Sequence, residues 1–591
     1  MNVLGLSFSD HEASAALVVN GKLRSAIARE RITRMKRDGI RWGGCRLDLS
    51  PAIQYCLDTC GLQLDDIDLI VWAHTDHLPP KEVYELLAAE GGLDICSRPM
   101  MAIPHHFAHA CGAYYSSPFY ASSQEAAVLV VDGAGGPFGG LLKNCLGPEP
   151  EAISKGSVVV QNLSPYEGEG SRELESFYRF NPSTGGEVLR KIIGHWCGIG
   201  AVYGHVSKLI FGDYLDAGKT MGLAPYGRPH AQNLFFDEVG TPEFKAFTRS
   251  TSPERSALES RIDRWRQLTR TSNYKNDLLT DFTASLQLET EEALIKHARW
   301  IHERTGLTRL CFSGGVALNC VANTRLAEET GFEEIFVPPC PGDDGISVGC
   351  ALFGASLNGR VEPVPSPSYL GRDYAHDPEA LEAIGLKQCF KEENVFDAVA
   401  QEIANGAVVA WYEGGAELGP RALGHRSFLA DPRRADLRER LNAEIKRRES
   451  FRPFAPVVLE DAVPEYFVES NPSYFMSFVA EVHNEKREVV PAITHVDGSA
   501  RYQVLREQDN PSLFKLIEAF KRLTGIPMLL NTSFNRAGEP LVETPEEAAR
   551  CVVASTADYL VVDHVPYQNV STGGLWHATN LATVANESTQ S

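Results

Sequence analysis

The sequence has no long apolar run, no Cys-x-x-Cys pair and no excess of positive charge. No stretch approaches the roughly 20 apolar residues that a membrane-spanning helix needs, so no membrane partner is expected. The 13 cysteines are scattered and odd in number, which argues against a disulfide framework or a zinc finger and for reduced thiols. Because the net charge is −21, a nucleic-acid partner is disfavoured. The first residues lack a basic, then apolar signal pattern, so we expect a cytoplasmic protein.

The length and composition indicate several globular domains. The chain has 591 residues, of which 43% are hydrophobic and 23% charged, an ordinary globular composition. A proline-rich stretch within residues 359–374 is typical of a stiff linker. We therefore predict a first domain over residues 1–360 and a second over residues 361–591. A homodimer is the default expectation for a soluble protein of this size.

The order of predicted elements indicates an α/β fold in both domains. Residues 3–7 form a first strand, and Asn20-Gly21 is a strong two-residue hairpin signal between two further strands. A similar strand followed by an Asp-Gly loop returns at residues 128–136. Two related strand–loop units that face one cleft are the arrangement of the actin-like, sugar-kinase-like ATPase fold. The second domain alternates helices and strands.

A pair of histidines is the strongest chemical signal. His105 and His109 lie four residues apart in a predicted helix that follows Pro104, so both imidazoles project from one face and can reach one metal ion. His106 points about a quarter-turn away and is interpreted as a neighbour. The spacing alone is weak evidence, because many such pairs are ordinary surface or core histidines.

Two aspartates strengthen the metal interpretation. Asp132 ends an apolar run, and Asp343 lies in Pro-Gly-Asp-Asp-Gly before a helical pattern. An aspartate at the end of a buried strand is held at the edge of a core, where ligands tend to lie. Two histidines and two aspartates form a mixed nitrogen and oxygen set that suits Fe(II), Mn(II) or Zn.

A Gly-rich turn, Gly314-Gly315, follows a short predicted strand at residues 309–312. Its glycines allow close approach of the backbone to a ligand, and the N-terminus of a following helix can face a phosphate or a ribose. A tight turn without a ligand is an equal alternative.

Three clusters in the second domain combine rigid turns with polar side chains. They are residues 419–427, 446–456 and 530–535. Prolines and glycines immobilise the backbone around Arg421 and Arg452, and preorganised guanidinium groups bind phosphate with two hydrogen bonds. Ser533 and Asn535 are expected on one face of a strand. Each cluster alone could be structural, but the three together predict a phosphorylated substrate. For the basic segment 433–452, a solvated, salt-bridged helix face is the favoured interpretation.

These motifs resemble those of the NodU/CmcH family of O-carbamoyltransferases. The matching segments follow the family order along nearly the whole chain: HEASAAL (residues 11–17), HHFAHA (105–110), KTMGLAPYG (219–227), GDDG (342–345) and the three clusters above. Glu12 departs from the family pattern, which has Asp or Ser there. The resemblance implies an actin-like N-terminal domain, of the ASKHA ATPase type, and a YrdC-like C-terminal domain.

The resemblance also implies a two-step reaction. Carbamoyl phosphate and ATP, with Mg²⁺, would give carbamoyl adenylate in the C-terminal domain. The family positions that hold these anions are matched by Arg421, Lys446, Arg452, Arg501, Asn531, Ser533 and Asn535. Arginine and lysine there would stabilise the charge that develops between two phosphorylated reactants.

In the N-terminal domain, the resemblance implies that Fe(II) or another divalent metal is held by His105, His109, Asp132 and Asp343. His11 would be the general base that takes a proton from an acceptor hydroxyl. Lys36 matches a family motif and is expected to contact the phosphate. Gly314, Gly315 and Asn319 are expected to support adenosine. The alternative for His11 is a loop histidine that caps a helix or a hairpin.

The predicted function is therefore O-carbamoylation of a small-molecule hydroxyl, on a sugar or a polyketide-type natural product such as an antibiotic. A tRNA-directed threonylcarbamoyl transferase is one alternative, against which the acidic balance speaks. An actin-like regulatory ATPase is another, but it would not need the C-terminal arginine clusters.

Overall fold

The computed structural model describes residues 1–9, 11–39, 48–75, 93–133, 135–136, 159–162, 172–194, 198–229, 235–236, 277–359, 361–364, 368–389, 394–468 and 471–572. The chain divides into two units. The first comprises Met1–Glu30 and Arg37–Pro367, and the second Arg31–Lys36 and Ser368–Ser591. The boundary predicted at residue 360 stays a prediction, because residues 360 and 365–367 lie outside the described part. The short segment Arg31–Lys36, which the sequence placed in the first domain, belongs to the second unit.

The first unit contains two mixed sheets. The strands are β1 (Asn2–Phe8), β2 (Ala13–Val19), β3 (Lys22–Ala28), β4 (Leu69–His74), β5 (Met100–Ala102), β6 (Ala126–Val131), β7 (Val159–Asn162), β8 (Arg172–Asn181), β9 (Gly185–Gly194), β10 (Arg309–Ser313) and β11 (Glu334–Phe336). One sheet has the order β3-β2-β1-β4-β5 and the other β7-β9-β8-β6-β10-β11.

The two sheets repeat one topology. In the first, β1 is antiparallel to β2 and parallel to β4, with β3 and β5 continuing outward. In the second, β6 is antiparallel to β8 and parallel to β10, with β9 and β11 continuing outward. This duplication confirms the prediction of an α/β, actin-like first domain, and it makes β6 the counterpart of β1.

Local turn chemistry explains the first hairpin. Asn20 and Gly21, between β2 and β3, both have positive φ, 51° and 82°. A two-residue hairpin turn of type I′ requires this conformation at both positions, and Asn-Gly adopts it at low cost. The hairpin predicted from the sequence is therefore confirmed.

The helices of the first unit cover the sheets. They are α2 (Ser50–Cys60), α3 (His105–Tyr115), α4 (Pro118–Ala121), α5 (Ile199–Phe211), α6 (Ala217–Leu223), α7 (Asp277–Thr305), α8 (Cys320–Glu329) and α9 (Ile346–Ser356), after the short α1 (Arg29–Thr33) at the division between the units. No helix among the described residues is both long and apolar enough to cross a membrane.

Small residues let α9 pack tightly inside the first unit. A Cβ added at Gly349 would overlap the carbonyl oxygen of Ala108 in α3, and one added at Gly5 in β1 would overlap the carbonyl oxygen of Ser347. Ten of the eleven residues of α9 are buried. The close contact fixes the start of α9 beside the start of α3. His105 is the first residue of α3, and Asp343 lies three residues before α9, so two predicted ligands lie at these starts.

The second unit is built on one eight-stranded mixed sheet. Its strands are β12 (Leu386–Gln388), β13 (Val409–Tyr412), β14 (Arg426–Ala430), β15 (Ala455–Leu459), β18 (Gln503–Leu505), β19 (Met528–Ser533), β20 (Tyr559–Val562) and β21 (Val565–Asn569), and a separate pair is formed by β16 (Val479–Glu481) and β17 (Ser499–Arg501). The order is β12-β21-β20-β13-β14-β19-β15-β18. This mixed sheet agrees with the YrdC-like α/β domain that the sequence predicts.

The helices of the second unit pack on this sheet around one large apolar core. They are α10 (Pro378–Ile384), α11 (Val395–Ala404), α12 (Ala435–Arg440), α13 (Val463–Tyr466), α14 (Pro511–Thr524) and α15 (Pro545–Val553). Local capping sets their starts: the side chain of Asn510 caps α14, and Thr544 with Glu547 forms a capping box at α15.

Candidate functional site

Four predicted metal-binding side chains lie together in the first unit. One ligand atom of each of His105, His109, Asp132 and Asp343 lies within 4.8 Å of the others. Nε2 of His105 is 3.3 Å from Asp132 Oδ2 and 3.3 Å from Asp343 Oδ1. Nε2 of His109 is 3.5 Å from Asp343 Oδ1 and 4.0 Å from Asp132 Oδ2. Two atoms bound at about 2.1 Å to one ion stand roughly 3.0–3.4 Å apart at octahedral or tetrahedral angles, so the spacing suits one ion.

The burial of these groups also fits a metal. All four residues are buried, and Nε2 of His109 makes no hydrogen bond with any described residue. A buried imidazole nitrogen without a hydrogen bond costs stability unless another partner satisfies it. A cation between the two carboxylates would be such a partner, and the nitrogen and oxygen donors suit Fe(II), Mn(II) or Zn. Metal binding by these four residues is a proposal that rests on this geometry.

The first turn of α3 is held in place by a buried ion pair. Oε2 of Glu173 accepts a hydrogen bond from the backbone N–H of His106 at 3.2 Å, while its Oε1 lies 2.5 Å from Nζ of Lys191. The ring of His106 turns to Ser176, with Nδ1 2.8 Å from the hydroxyl. His106 therefore lies outside the four-residue cluster, as predicted. Helix α3 starts at His105, and Pro104 before it is the N-cap residue.

The Gly-rich turn after β10 contacts the end of β6. The backbone N–H of Gly315 donates to Oδ1 of Asp132 at 2.9 Å. Gly314 has a φ of 93°, and a Cβ there would overlap the carbonyl oxygen of Val131. Because β6 and β10 are parallel neighbours, their carboxyl ends meet at one edge of the sheet. The turn thus orients a predicted metal ligand.

Asn319 lies in a buried polar pair. Its Nδ2 donates to Oε1 of Gln287 at 3.0 Å, and its Oδ1 accepts from Nε2 of Gln287 at 3.0 Å and from the backbone N–H of Ala322 at 3.1 Å. It therefore caps α8 and joins α8 to α7. The expected adenosine contacts of Gly314, Gly315 and Asn319 stay predictions.

Three of the four clustered side chains have strongly shifted pKa values. Burial opposes the charge on His105, but the carboxylates of Asp343 and Asp132 outweigh it and raise the pKa of His105 to about 10. Burial likewise opposes ionisation of Asp132, yet His105 and His109 lower its pKa to about 2. The same histidines hold the pKa of Asp343 well below its usual range against the effect of burial. Such mutual shifts favour two ionised carboxylates, which are the forms that bind a cation, and a bound cation would replace the proton on His105, because imidazole binds a metal in its neutral form.

His11 and Glu12 lie on the same side of the first unit as Asp343. Nδ1 of His11 is 3.2 Å from the hydroxyl of Ser9, and His11 is one of the groups that lower the pKa of Asp343. Oε2 of Glu12 accepts from the backbone N–H of Asp344 at 2.9 Å. Burial, Asp344 and Asp343 raise the pKa of Glu12 well above its usual range. Glu12 was not predicted as a site residue. The signal in the sequence that could have identified it is its departure from the family motif, which has Asp or Ser at this position.

In the second unit, two of the predicted anion-binding residues, Ser533 and Asn535, contact a third, Lys446. Its Nζ donates to the carbonyl oxygen and Oγ of Ser533 at 2.8 and 3.0 Å, and to the carbonyl oxygen and Oδ1 of Asn535 at 2.9 and 2.6 Å. The prediction of one strand face for Ser533 and Asn535 was wrong, because β19 ends at Ser533 and the chain bends there. The bend still brings both side chains together, with Ser533 Oγ donating to Asn535 Oδ1 at 2.7 Å.

Several cationic groups surround Lys446. Burial, Arg448, Lys36 and Arg452 lower the pKa of Lys446 well below its usual range. Burial, Arg452 and Arg501 do the same to the pKa of Arg448. Like charges held this close at a partly buried place repel one another, and a bound anion would relieve the repulsion. Arg448 was not among the predicted site residues, although it lies within the second cluster.

The segment from Arg433 to Arg452 thus has two parts. Arg433 and Arg434 pair with nearby aspartates at 2.6 Å, and Arg440 reaches Asp558 at 3.0 Å. This first part is the salt-bridged helix face that the sequence favours. The second part, from Lys446 onward, follows a π-helical turn at Leu441–Ile445 and joins the cationic group.

The loop that carries Arg421 is braced by a buried carboxylate. Oε1 of Glu417 accepts from the backbone N–H groups of Leu423, His425 and Arg426 at 2.7, 2.8 and 3.2 Å. Arg421, two residues before Leu423, is half-buried. The carboxylate of Glu417 therefore holds this loop, and the contribution predicted for glycine and proline stays a prediction.

Asn531 links strand β19 to the loop that carries Arg421. Its Nδ2 donates to the carbonyl oxygen of Ala422 at 3.1 Å and to Oε1 of Gln503 at 3.0 Å. Its Oδ1 is buried and makes no hydrogen bond with any described residue. The predicted anion-binding roles of these residues remain proposals, but the structure brings Lys446, Ser533 and Asn535 into direct contact.

Comparison with solved structures shows only partial likeness. The activator of the 2-hydroxyisocaproyl-CoA dehydratase from Clostridium difficile with bound ADPNP is 14% identical with a TM-score of 0.33, over 60% of this chain and 95% of that one. Full-length HypF in the phosphate- and nucleotide-bound form is 14% identical with a TM-score of 0.32, over 61% of this chain and 56% of that one. The fold assignment therefore stands on the strand order described above.

Sequence relatives cover most of the chain. Nodulation protein NolNO of Sinorhizobium fredii is 32% identical over 93% of this chain and 78% of its own length. Nodulation protein NolO of Bradyrhizobium diazoefficiens is 35% identical over 78% of this chain and 77% of its own. Nodulation protein U of the same organism is 27% identical over 93% and 94%.

Two family descriptions match the chain, one in each half. The carbamoyltransferase N-terminus matches residues 2–86 and 77–352, and the carbamoyltransferase C-terminus matches residues 400–569. The first match contains the cluster of His105, His109, Asp132 and Asp343, and the second contains Lys446 and its neighbours. The sequence resemblance is thus confirmed: the chain is an enzyme of the carbamoyltransferase family.

Proposed function

We propose that this enzyme makes carbamoyl adenylate from carbamoyl phosphate and ATP and then transfers the carbamoyl group to a hydroxyl of a small molecule of the sugar, polyketide or antibiotic type. The observation that carries the proposal is the group of basic side chains formed by Lys446, Arg448, Arg452 and Arg501 in the second unit, whose interactions shift the pKa values of Lys446 and Arg448. A site that must hold two phosphorylated reactants together needs such a surplus of positive charge, whereas a simple ATPase of the actin-like type does not.

The first half-reaction balances with one water molecule. Carbamoyl phosphate, ATP and water give carbamoyl adenylate, orthophosphate and pyrophosphate. The phosphate of carbamoyl phosphate leaves as orthophosphate, and a carbamate oxygen displaces pyrophosphate from the α-phosphorus of ATP. Mg²⁺ accompanies ATP in this proposal.

The chain's residues supply position and charge for this step. Arg421, Arg452 and Arg501 would hold the phosphoryl oxygens, since a guanidinium offers two parallel donors to such a group. Nζ of Lys446 shares its N–H groups among four oxygens of Ser533 and Asn535, so the remaining polar atoms of these two residues are held in one geometry. The buried Oδ1 of Asn531 is an acceptor, and the NH₂ group of a carbamoyl compound is a matching donor.

In the second half-reaction, the acceptor hydroxyl attacks the carbamoyl carbon, and AMP leaves. His11 would take the hydroxyl proton, for which a neutral imidazole is suited near pH 7. His105, His109, Asp132 and Asp343 would hold Fe(II) or another divalent ion. Such an ion, when bound, supplies Lewis-acid polarisation of a carbonyl or phosphoryl oxygen. The buried carboxylates of Asp132 and Asp343 give that place its negative charge, which favours a cation over an anion.

The test measures pyrophosphate release from ATP with and without carbamoyl phosphate. Release that requires carbamoyl phosphate, and that is lost in Lys446→Ala but kept in the exposed control Lys387→Ala, is the expected result. ATP hydrolysis that ignores carbamoyl phosphate and is unchanged in Lys446→Ala would overturn the proposal.

The acceptor class is tested separately. Candidate alcohols incubated with enzyme, ATP and carbamoyl phosphate are examined by mass spectrometry for the gain of one carbamoyl group. A sugar or polyketide alcohol is expected to gain this group. Transfer to a tRNA, with no small alcohol modified, would replace the acceptor class.

A further inference from the structure

The segment Arg31–Lys36 belongs to the second unit although more than three hundred residues separate it from the rest of that unit. It carries two arginines and Lys36 within six residues. Lys36 is one of the cations that lower the pKa of Lys446. The segment therefore lies at the cationic group, and the contacts of its two arginines lead to the loops that build this group.

Arg31 holds the loop that carries Arg421. The Arg31 side chain is buried, and its Nη2 donates to the carbonyl oxygen of Gly419 at 2.9 Å and to that of Glu417 at 3.4 Å. The same loop is braced from within by Oε1 of Glu417, which accepts the backbone N–H of Leu423 at 2.7 Å. Arg421 thus lies between two fixed points, one of which comes from the distant segment.

Arg34 holds the loop that follows Asn535. Its Nη1 donates to the carbonyl oxygen of Leu541 at 2.6 Å and its Nη2 to that of Pro540 at 3.0 Å. Nη1 also lies 3.3 Å from Glu547, the residue that completes the capping box of α15. The loop is closed on itself by Nδ2 of Asn535, which donates to the carbonyl oxygen of Glu539 at 2.6 Å.

A planar guanidinium is needed for this arrangement. Two carbonyl groups of consecutive residues are bound by the two Nη atoms of one fork, which fixes both the distance and the orientation of the loop. A lysine offers a point charge and cannot bind both carbonyl groups in the same plane. Arg34 has a positive φ of 61°, an uncommon conformation for arginine that the surrounding contacts maintain.

We propose that Arg31 and Arg34 are positioning residues of the anion site in the second unit, where they fix the loops of Arg421 and Asn535 from a segment of the N-terminal half. This inference rests on the proposed function for its role in catalysis. It goes beyond that function by making the N-terminal segment a structural part of the adenylate-forming site.

The test uses the full chain and inorganic pyrophosphate as the probe. Binding is measured by calorimetry for the wild type, Arg34→Ala, Arg34→Lys, Arg31→Lys and a control, Arg522→Ala, which removes a largely exposed ion pair with Asp397. We expect Arg34→Ala, Arg34→Lys and Arg31→Lys to bind pyrophosphate about tenfold or more weakly than the wild type, because a displacement of about 1 Å in a binding group lowers affinity. The control is expected to bind as the wild type does.

Turnover separates positioning from general stability. In carbamoyl-phosphate-dependent pyrophosphate release, Arg34→Lys should raise the KM for carbamoyl phosphate, with a melting temperature close to that of the wild type. Added guanidinium at millimolar concentration should partly restore Arg34→Ala. The inference would be overturned if folded Arg34→Lys and Arg31→Lys kept the binding and the KM of the wild type. It would also be overturned if binding fell in proportion to the melting temperature in every variant, including the control.

The outcomes also distinguish the inference from the proposed function. If the wild type binds pyrophosphate in an Arg34-dependent way but shows no carbamoyl phosphate dependence, the proposed function fails and the inference stands. If turnover follows the proposal while the arginine variants are unaffected, the inference alone fails. A wild type that does not bind pyrophosphate overturns the inference directly.

Discussion

The backbone N–H of Gly315 donates a hydrogen bond of 2.9 Å to Oδ1 of Asp132. A glycine in a turn expected to contact a nucleotide therefore also orients one of the four predicted metal ligands. Oδ2 of the same carboxylate is left to face His105 at 3.3 Å. Backbone donation to one carboxylate oxygen fixes the direction of the other, as supporting residues around a metal site commonly do.

Gly315→Ala should displace Asp132. A Cβ at this position would lie 2.8 Å from Asp132 Oδ1, so the carboxylate must move. We expect metal affinity to fall by about 10- to 100-fold, measured by titration with a divalent ion and by metal content after dialysis. Gly218→Ala is the matched control, because its Cβ meets no atom within 4 Å. A variant with normal metal affinity and a raised KM for ATP would instead favour a purely nucleotide-binding turn.

His109→Ala should abolish carbamoyl transfer while leaving carbamoyl-phosphate-dependent pyrophosphate release largely intact. The reason is that His109 belongs to the cluster in the first unit, whereas the cationic group belongs to the second. The two activities are measured separately, by product mass and by pyrophosphate release. His302→Ala on α7 serves as the control. Loss of both half-reactions in a folded His109→Ala would contradict this division.

Phosphate anions should stabilise the protein through the cationic group around Lys446. Arg448, Arg452 and Arg501 repel one another there, and an anion that binds only the folded state raises stability by about 2.7 kcal/mol at a hundredfold excess over its Kd. We expect pyrophosphate to raise the melting temperature of the wild type, and to do so much less in Arg448→Gln. Arg434→Gln, which removes an exposed ion pair with Asp436, should respond as the wild type does.

Glu175 should make stability fall as pH rises towards neutrality. Burial raises its pKa from 4.5 to about 7 against the opposing effects of the Ile199 N–H and Arg190. Between these values the folded state binds more protons than the unfolded state, so the free energy of unfolding falls with rising pH and the full penalty is present above pH 7. Its size is on the order of 3 kcal/mol.

Glu175→Gln removes this titration but keeps an acceptor for the N–H of Ile199, which Oε1 of Glu175 accepts at 3.0 Å. The variant should therefore gain stability over the wild type as the pH is raised from about 5 to about 8, measured by chemical unfolding at each pH. The exposed Glu334→Gln should show no such trend. A constant difference between Glu175→Gln and the wild type across the range would count against the raised pKa.

Elements with local signals could be predicted from the sequence. The hairpin at Asn20 and Gly21 follows from the backbone preferences of those two residues. The shared direction of His105 and His109 follows from helical periodicity, and the repeated strand–loop pattern anticipated the two similar sheets. The prediction that Ser533 and Asn535 lie on one face of a strand was wrong. The end of β19 is set by its pairing with β14 and β15 and not by those two residues themselves.

Other features had no local signal. The membership of Arg31–Lys36 in the second unit depends on hydrogen bonds to carbonyl groups of Gly419, Pro540 and Leu541, and backbone carbonyls carry no sequence signature. Glu12 acquires its raised pKa from burial and from Asp343 and Asp344, which lie more than three hundred residues away along the chain. The sequence pattern around Arg448 indicates a solvated arginine, whereas in the fold Arg448 interacts with Arg452 and Arg501.

Local sequence defines the chemistry that is available: two imidazoles at helical spacing, an aspartate at the end of an apolar run, a second aspartate in a glycine-rich turn, and arginines held by glycine and proline. These are properties of neighbouring residues, so short-range geometry is enough to define them. Which of these groups meet depends on the fold, because close packing of α3 on α9 and the parallel pairing of β6 with β10 bring the four predicted ligands together. Charge, burial and pKa depend on that proximity, since electrostatic interactions act through space and not along the chain.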